Sequence, residues 1–276
     1  MFHPKQLQLF SGADDGEVRV WDLVERRCVA SHKAHFSAVT SLALSPDGWR
    51  LLSGARDKVV GVWDLRTPAK KPHTIPVYEA VEGLVALPPG GTFPGTQAGS
   101  SAVFFATAGE KGQVKVWSTA TGTCVYEHPV EGSGAVAGGS ASMSTREVTD
   151  LALLPGGRGL LASTADARLL FLCIPDEAPL PAPRLALSRQ LVGNMDEVTD
   201  VRLVGGQRSA PTHLAVATND EVVRLFDLGG LGCVASLVGH RDTVLALDAA
   251  PYGTSGSSLI ASGAKDNEVR VWDAPA

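Results

Sequence analysis

The sequence predicts an all-β fold, a β-propeller made of short antiparallel sheets. A five-residue pattern of the form Val-x-Val-Trp-Asp returns along the chain, and its apolar and polar residues alternate as in a half-buried strand. No segment has a sustained 3.6-residue period, so we expect essentially no helix. With 44% hydrophobic residues among 276, the chain is too apolar to be disordered.

The repeat divides the chain into six units. The tryptophan position of the pattern recurs at intervals of 42 to 55 residues, which is the period of a propeller blade. The copies of the pattern lie at residues 18–22, 60–64, 114–118, 169–172, 223–227 and 269–273. We therefore predict a single partial domain over residues 1–276, with repeat units that end near residues 22, 64, 118, 173, 227 and 273.

The pattern is predicted to form the third strand of each four-stranded blade. First strands are expected at residues 38–42, 147–151 and 197–201, second strands at 51–54 and 259–263, and fourth strands at 28–30, 124–126 and 233–235. Basic residues inside the pattern are expected to project away from their apolar neighbours, since successive strand residues face opposite sides. These residues are Arg19, Lys115, Arg224 and Arg270.

The units resemble WD40 repeats. In that family a tetrad of side chains is hydrogen-bonded inside the blade: a His before the first strand, a Ser or Thr on the second, an Asp in the next turn and the Trp on the third. The resemblance assigns these roles to His35, Ser53, Asp57 and Trp63 in one unit, and to His240, Ser262, Asp266 and Trp272 in another.

The remaining units match the tetrad only in part. The Asp recurs at Asp15, Asp166 and Asp220 but is replaced by Lys111 in the third unit, and the His position reads Val77, Ser144 and Asn194 in the middle units. Because buried polar residues are stable only when they satisfy one another, we expect the incomplete units to rely on apolar packing.

The two ends of the sequence suggest an incomplete propeller of about five and a half blades out of seven. Phe2-His3-Pro4 aligns with the end of a first strand, as Leu44-Ser45-Pro46 does, and the last unit stops after Trp272 and Asp273. Open sheet edges favour aggregation, so we expect this chain to be a fragment of a longer protein.

A closer resemblance extends through nearly the whole chain, to WD40 subunits of the UTP-B complex. Residues 37–42, 76–82, 122–126 and 243–248 carry it, and residues 76–82 discriminate best because they depart from the general repeat pattern. The resemblance implies a non-enzymatic scaffold of the nucleolar small-subunit processome that supports pre-rRNA processing and 18S rRNA maturation. The implied partners are other UTP-B subunits and processome proteins, with contact to pre-rRNA or small nucleolar RNA at the rim.

The net charge of −5 is consistent with a subunit that mostly contacts proteins. A protein whose main work is binding nucleic-acid phosphates needs a basic face.

Trp63-Asp64-Leu65-Arg66 leaves a second function open. The four residues match the Trp-Asp-x-Arg signature with which some WD-repeat proteins dock to the adaptor of a cullin-RING ubiquitin ligase. An Arg that follows a Trp-Asp pair by chance gives the same match. A generic signalling scaffold similar to a G-protein β subunit is a weaker third interpretation.

The sequence does not indicate an enzyme, a cofactor, a metal site, a small-molecule substrate or a membrane protein. The Ser, His and Asp of the tetrads recur between units, whereas a catalytic site is unique. The seven His and four Cys lack metal-ligand spacing. No apolar run approaches the ~20 residues of a membrane helix.

Candidate partner contacts are Phe36, Arg146, Met195 and Arg241. Each lies near a loop that leads into a first strand, and in the WD40 family partners commonly bind the face formed by these loops. The alternative is that they are ordinary solvated loop residues.

Overall fold

A computed structural model describes residues 1–67, 71–90, 93–96, 102–129, 147–175, 184–192, 196–205, 211–251 and 258–274. Within these ranges 22 strands form six sheets, and the one helical element is a single 3-10 turn at Pro155–Gly157. The predicted all-β propeller is confirmed with six blades, numbered here in chain order. The total of seven blades, of which this chain would contain about five and a half, stays a prediction.

The chain divides into two compact units. The first consists of Met1–Leu151 and Ile174–Ala186, and the second of Ala152–Cys173 and Leu187–Ala276. Blades 1 to 3 lie in the first unit, blades 5 and 6 lie in the second, and most residues of blade 4 belong to the second.

The strands of blades 1 to 3 follow the predicted repeat. Blade 1 contains β1 (Gln8–Gly12), β2 (Glu17–Asp22) and β3 (Arg27–Lys33); blade 2 contains β4 (Val39–Leu44), β5 (Arg50–Ala55), β6 (Val59–Asp64) and β7 (His73–Pro76); blade 3 contains β8 (Val81–Ala86), β9 (Phe104–Gly109), β10 (Gln113–Ser118) and β11 (Cys124–Pro129).

Blades 4 to 6 have the same consecutive strand order. Blade 4 contains β12 (Val148–Leu153), β13 (Gly159–Thr164), β14 (Arg168–Cys173) and β15 (Ala186–Leu191); blade 5 contains β16 (Val198–Val204), β17 (His213–Thr218), β18 (Val222–Asp227) and β19 (Cys233–Val238); blade 6 contains β20 (Val244–Pro251), β21 (Ser258–Ala264) and β22 (Val269–Ala274).

The first residues of the chain extend beside β1. Phe2 forms an antiparallel bridge with Leu9, and the backbone N–H of Phe10 donates to the carbonyl of Met1 at 2.8 Å. The sequence alignment of Phe2-His3-Pro4 with residues 44–46 predicts a position next to the second strand of a blade. The first residues of the chain occupy that position.

Apolar cores lie between consecutive blades within each unit. In the first unit, Leu52 and Val60 of blade 2 pack in one cluster with Val81 and Leu84 of blade 3. In the second unit, a cluster joins blades 5 and 6 through Val223, Leu225, Leu247 and Ile260. Inner strands such as β5, where five of six residues are buried, have both faces covered, since successive residues face opposite sides of the sheet.

A β-bulge in the first strand of blades 2 and 5 redirects a threonine towards the next blade. The strand register shifts between Val39 and Ser41, and Thr40 Oγ1 donates to the carbonyl of Val81. Thr199, in the corresponding bulge of β16, donates to the carbonyl of Val244 at 2.7 Å. Bulges re-aim side chains in this way, and here the result is a hydrogen bond between neighbouring blades.

Candidate functional site

Blade 2 contains a complete hydrogen-bonded tetrad. His35 precedes β4, and its Nε2 lies 2.7 Å from Oγ of Ser53 on β5. Its Nδ1 lies 3.1 Å from Oδ2 of Asp57, in the turn before β6. Trp63 Nε1 donates to Ser53 Oγ at 3.0 Å. His35 and Ser53 are buried, so their polar atoms require the partners that the tetrad supplies.

Blade 6 repeats this arrangement. His240 Nε2 lies 2.7 Å from Ser262 Oγ, and Nδ1 lies 2.9 Å from Asp266 Oδ2. Trp272 Nε1 donates to Ser262 Oγ at 2.7 Å. With an ionised Asp266 as acceptor, Nδ1 carries a proton, and in the neutral imidazole the Ser262 hydroxyl then donates to Nε2.

The Asp of each tetrad also binds the backbone of an exposed residue. Asp57 Oδ2 accepts a hydrogen bond from the N–H of Phe36 at 3.0 Å, and Asp266 Oδ2 accepts one from the N–H of Arg241 at 3.0 Å. The Arg241 N–H, together with the N–H of Glu268 and the His side chain, lowers the pKa of Asp266 to about 2. A buried network thus fixes the backbone of the residue that leads into each first strand.

In blades 1 and 5 an arginine of the third strand contacts the Asp of the partial tetrad. Arg19 Nη2 lies 2.5 Å from Asp15 Oδ2. Arg224 Nη2 lies 2.6 Å from Asp220 Oδ2, and its Nη1 donates to Thr218 Oγ1 at 3.1 Å. These arginines, which the pattern predicts to project away from their apolar neighbours, bind the Asp of their own blade.

Blade 4 has a similar substitute. Thr164 Oγ1 donates to Asp166 Oδ1 at 2.5 Å, and Arg168 Nε lies 3.2 Å from Asp166 Oδ2. Charged pairs thus accompany the incomplete tetrads of these blades, and blades 4 and 5 also share an apolar cluster that includes Phe171 and Val216. That the incomplete units rely on apolar packing stays a prediction.

Blade 3 has a buried ion pair between Glu79 and Lys115 where the sequence replaces the tetrad Asp by Lys111. Lys115 Nζ lies 2.7 Å from Glu79 Oε1, with side chains that are 9% and 0% exposed. Trp117 Nε1 still donates to Thr107 Oγ1 at 2.9 Å. The hydrogen bond of the Trp is thus retained in a blade that has Val77 and Lys111 at the His and Asp positions and a buried pair of opposite charges.

This ion pair lies beside an exposed tyrosine. The N–H of Lys111 approaches Glu79 Oε2 at 3.4 Å, and Lys111 Nζ donates to the carbonyl of Tyr78 at 3.0 Å. Tyr78 is 69% exposed and has a φ of 63°, in the left-handed region that is uncommon for residues other than glycine.

Glu79 and Tyr78 are not among the residues predicted for a site, and Lys115 is predicted only to project away from its apolar neighbours. The third unit nevertheless contains a signal for the ion pair. It has Lys111 in place of the tetrad Asp, and it also has a Lys inside the Trp pattern and an acidic residue in the unusual stretch 76–82.

Two of the four predicted partner contacts lie within the described residues. Phe36 is 97% exposed and Arg241 is also exposed. Arg146 and Met195 lie outside the described ranges, as do Ser144 and Asn194. Partner binding by these residues stays a prediction.

Asp64 and Arg66 of the Trp-Asp-x-Arg match bind each other. Arg66 Nε donates to Asp64 Oδ1 at 2.8 Å, and Nη2 donates to Asp64 Oδ2 at 2.7 Å. The Arg66 guanidinium lowers the pKa of Asp64 to about 2. Since the Arg66 side chain is 55% exposed, it is also accessible from solvent.

The hydroxyl groups of the tetrad serines are engaged in hydrogen bonds inside their own blades. Ser53 and Ser262 are buried, and each Oγ is occupied by a Trp N–H and a His ring nitrogen. Across the ranges that the structure describes, His, Cys, Asp and Glu side chains form no group that could hold a metal ion. Within those same ranges, the structure has no helix with the length and apolar character needed to cross a membrane.

Comparison with known proteins identifies the repeat. A family profile described as "WD domain, G-beta repeat" matches residues 1–22, 26–64 and 231–273, so the resemblance to WD40 repeats is confirmed. A WD40 propeller is generally a non-catalytic scaffold.

Individual relatives match over the whole chain or over a short part of it. The chain is 41% identical to transducin beta-like protein 3 of Bos taurus, over 98% of this chain and 31% of that protein. Identity to the protein of the same name from Homo sapiens is 40%, over 98% of this chain and 36% of that protein. Pre-mRNA-processing factor 19 of Bos taurus is 42% identical over 19% of this chain and 10% of its own length. The chain thus spans about a third of the length of the first two relatives.

Proposed function

We propose that this chain, a WD40 propeller similar to transducin beta-like protein 3, is part of a non-catalytic scaffold for ribosome biogenesis. Its role would be that of a UTP-B component of the small-subunit processome, in the nucleolus of the nucleus, that supports pre-rRNA processing and 18S rRNA maturation. Its partners would be other UTP-B subunits and processome proteins, with RNA contact at the rim.

The observation that carries this proposal is the stretch of residues 76–82. The sequence resemblance to UTP-B subunits depends most on this stretch, and the structure gives it a specific role: Glu79 forms a buried ion pair with Lys115 in a blade whose tetrad is incomplete. A feature of this kind distinguishes blade 3 from a generic WD40 blade. The alignment over 98% of the chain supports the same assignment.

Affinity purification of the full-length parent protein, scored by mass spectrometry and RNA sequencing, tests the proposal. We expect co-purification of UTP-B subunits and pre-rRNA. Recovery of neither from intact nucleoli would contradict the proposed function.

The ubiquitin-ligase alternative is tested by Arg66→Ala in the same purification. The Arg66 side chain is half-exposed, and Asp64 orients its guanidinium group. Docking of a ligase adaptor through this residue would therefore be lost in the variant. We expect the variant and the wild type to recover the same partners. Loss of a cullin-RING adaptor in the variant alone would favour the ligase function instead.

A further inference from the structure

We propose that Phe36, Lys58, Tyr78 and Lys111 form a docking surface for an acidic segment of a partner protein that presents apolar side chains. We call this set the aromatic–lysine surface. It deepens the proposed scaffold function, on which it rests, by assigning a partner chemistry to one part of the first unit.

Hydrogen bonds place the four residues next to one another. Phe36 N–H donates to Asp57, which directly precedes Lys58. The N–H of Val77, the neighbour of Tyr78, donates to the carbonyl of Lys58 at 2.9 Å. Lys111 Nζ donates to the carbonyl of Tyr78. Loops and turns of blades 2 and 3 therefore contribute to one continuous surface.

The two aromatic rings are exposed at corresponding positions of adjacent blades. Phe36 is 97% exposed and Tyr78 is 69% exposed, and each lies three residues before the first residue of a first strand. Aromatic residues contribute much of the binding energy at protein interfaces, because they bury large areas with few rotatable bonds.

The conformation of Tyr78 is costly and is stabilised by its surroundings. A left-handed backbone is energetically unfavourable at a residue other than glycine, because the Cβ lies too close to the carbonyl oxygen. The residue that occupies the corresponding place in blade 2, Phe36, does not have a positive φ. In blade 3 the Lys111 contact to the Tyr78 carbonyl and the adjacent Glu79–Lys115 pair fix this loop. Strain of this kind concentrates at functional sites.

Charge favours an acidic partner segment. Among the described residues, neither Lys58 nor Lys111 forms an ion pair, whereas nearby Arg56 is paired with Glu82 at 2.9 Å. Two lysines beside two aromatic rings complement carboxylates that flank an apolar side chain. A single-stranded RNA is less suitable, because it requires a basic groove that follows several phosphates, and exposed Glu110 precedes Lys111.

Fluorescence anisotropy with the full chain and labelled synthetic hexapeptides tests the proposal. We expect the acidic peptide EELFEE to bind at least tenfold more tightly than the basic peptide KKLFKK. Phe36→Ala and Tyr78→Asn should each weaken binding of the acidic peptide about tenfold, which is the effect of losing one anchor. Asparagine tolerates the left-handed backbone, so Tyr78→Asn removes the ring without forcing the loop to change.

A charge reversal and a matched control complete the experiment. Lys58→Glu should weaken the preference for EELFEE over KKLFKK, and it leaves the Lys111 contact to the Tyr78 carbonyl in place. Trp49→Ala, which removes an exposed aromatic ring at the other end of β4, should leave the affinity unchanged. Equal affinity for both peptides, binding of neither peptide, or unchanged affinity in the aromatic variants would overturn the proposal. Tighter binding of a labelled oligo(U) through the same four residues would replace the peptide by RNA.

This test is separate from that of the proposed function. Failure of the peptides with normal recovery of processome proteins would refute the docking surface alone. Peptide binding without processome proteins would refute the proposed function alone.

Discussion

Gly61 on β6 lies directly against the blade 2 tetrad. A Cβ at this position would lie 2.7 Å from Ser53 Oγ and 3.3 Å from Trp63 Nε1. The same place in blades 1, 3 and 5 is filled by Arg19, Lys115 and Arg224, which contact acidic groups themselves. In blade 6, Arg270 lies opposite Ser262 of the other complete tetrad, so the lack of space for a side chain at Gly61 is a property of blade 2 and not of every complete tetrad.

We expect Gly61→Ala to lower the free energy of unfolding by about 1–3 kcal/mol, since the added methyl group displaces a hydrogen-bonded hydroxyl in a packed interior. Urea denaturation measures this change. Gly263→Ala is the matched control: it lies on β21, and its added Cβ would meet no atom within 4 Å. A loss of stability in the control as large as that of Gly61→Ala would show that the cost comes from the strand backbone rather than from the tetrad.

Asp266 gives the tetrad of blade 6 a pH dependence. Its folded-state pKa of about 2 lies below the ordinary value of 3.8, so the folded protein favours the carboxylate. The resulting contribution to stability is present above about pH 4 and is lost as the pH falls towards 2, because the unfolded chain binds its proton first.

We therefore expect Asp266→Asn to be less stable than the wild type at pH 7 and to lose less stability between pH 4 and pH 2. Thermal unfolding across this range measures both quantities. Asp273→Asn, on β22 of the same blade, removes an exposed carboxylate and should leave the slope of the wild type almost unchanged. Parallel acid profiles for wild type and Asp266→Asn would refute the assignment.

At the scale of elements, the ion pair of blade 3 connects the loop before β8 with β10. Removing one partner of a buried pair leaves an uncompensated charge, which costs about 3–5 kcal/mol. We expect Lys115→Met to destabilise the chain by that amount, and Glu79→Gln combined with Lys115→Met to recover most of the loss. A double-mutant cycle on the free energy of unfolding measures the coupling.

The exposed pair of Arg56 and Glu82 serves as the control for that cycle. Its side chains are 60% and 17% exposed, so we expect a coupling of less than about 1 kcal/mol. A coupling of the same size in both pairs would mean that burial of Glu79 and Lys115 adds nothing to their interaction.

Strands and complete tetrads were accessible from the sequence, and substitutes for the tetrads were not. The alternation around Trp21, Trp63 and Trp117 depends on neighbours along one strand, so periodicity alone located the third strands. The contact between Glu79 and Lys115 joins segments far apart in sequence, and a basic residue in an alternating strand ordinarily faces solvent. Only the presence of Lys111 at the Asp position of the same unit could have indicated that the side chain of Lys115 points inward.

At the scale of the whole molecule, neighbouring blades within each unit are joined by apolar clusters and by hydrogen bonds from redirected threonines. Both units contain one described example, Thr40 in the first and Thr199 in the second. Because a bulge places each hydroxyl against a carbonyl of the next blade, the contact stabilises the arrangement of successive blades rather than a single sheet.

We expect Thr40→Val and Thr199→Val each to lower the free energy of unfolding by about 1 kcal/mol, because valine keeps the shape of threonine but cannot donate a hydrogen bond. The two sites share no partner, so the double variant should lose the sum of the two values to within about 0.5 kcal/mol. Urea denaturation of the full chain, followed by fluorescence and circular dichroism together, measures all three variants. Thr121→Val, at an exposed turn after β10, should have almost no effect. A double variant that loses far more than the sum would show instead that the two hydrogen bonds stabilise one cooperative network.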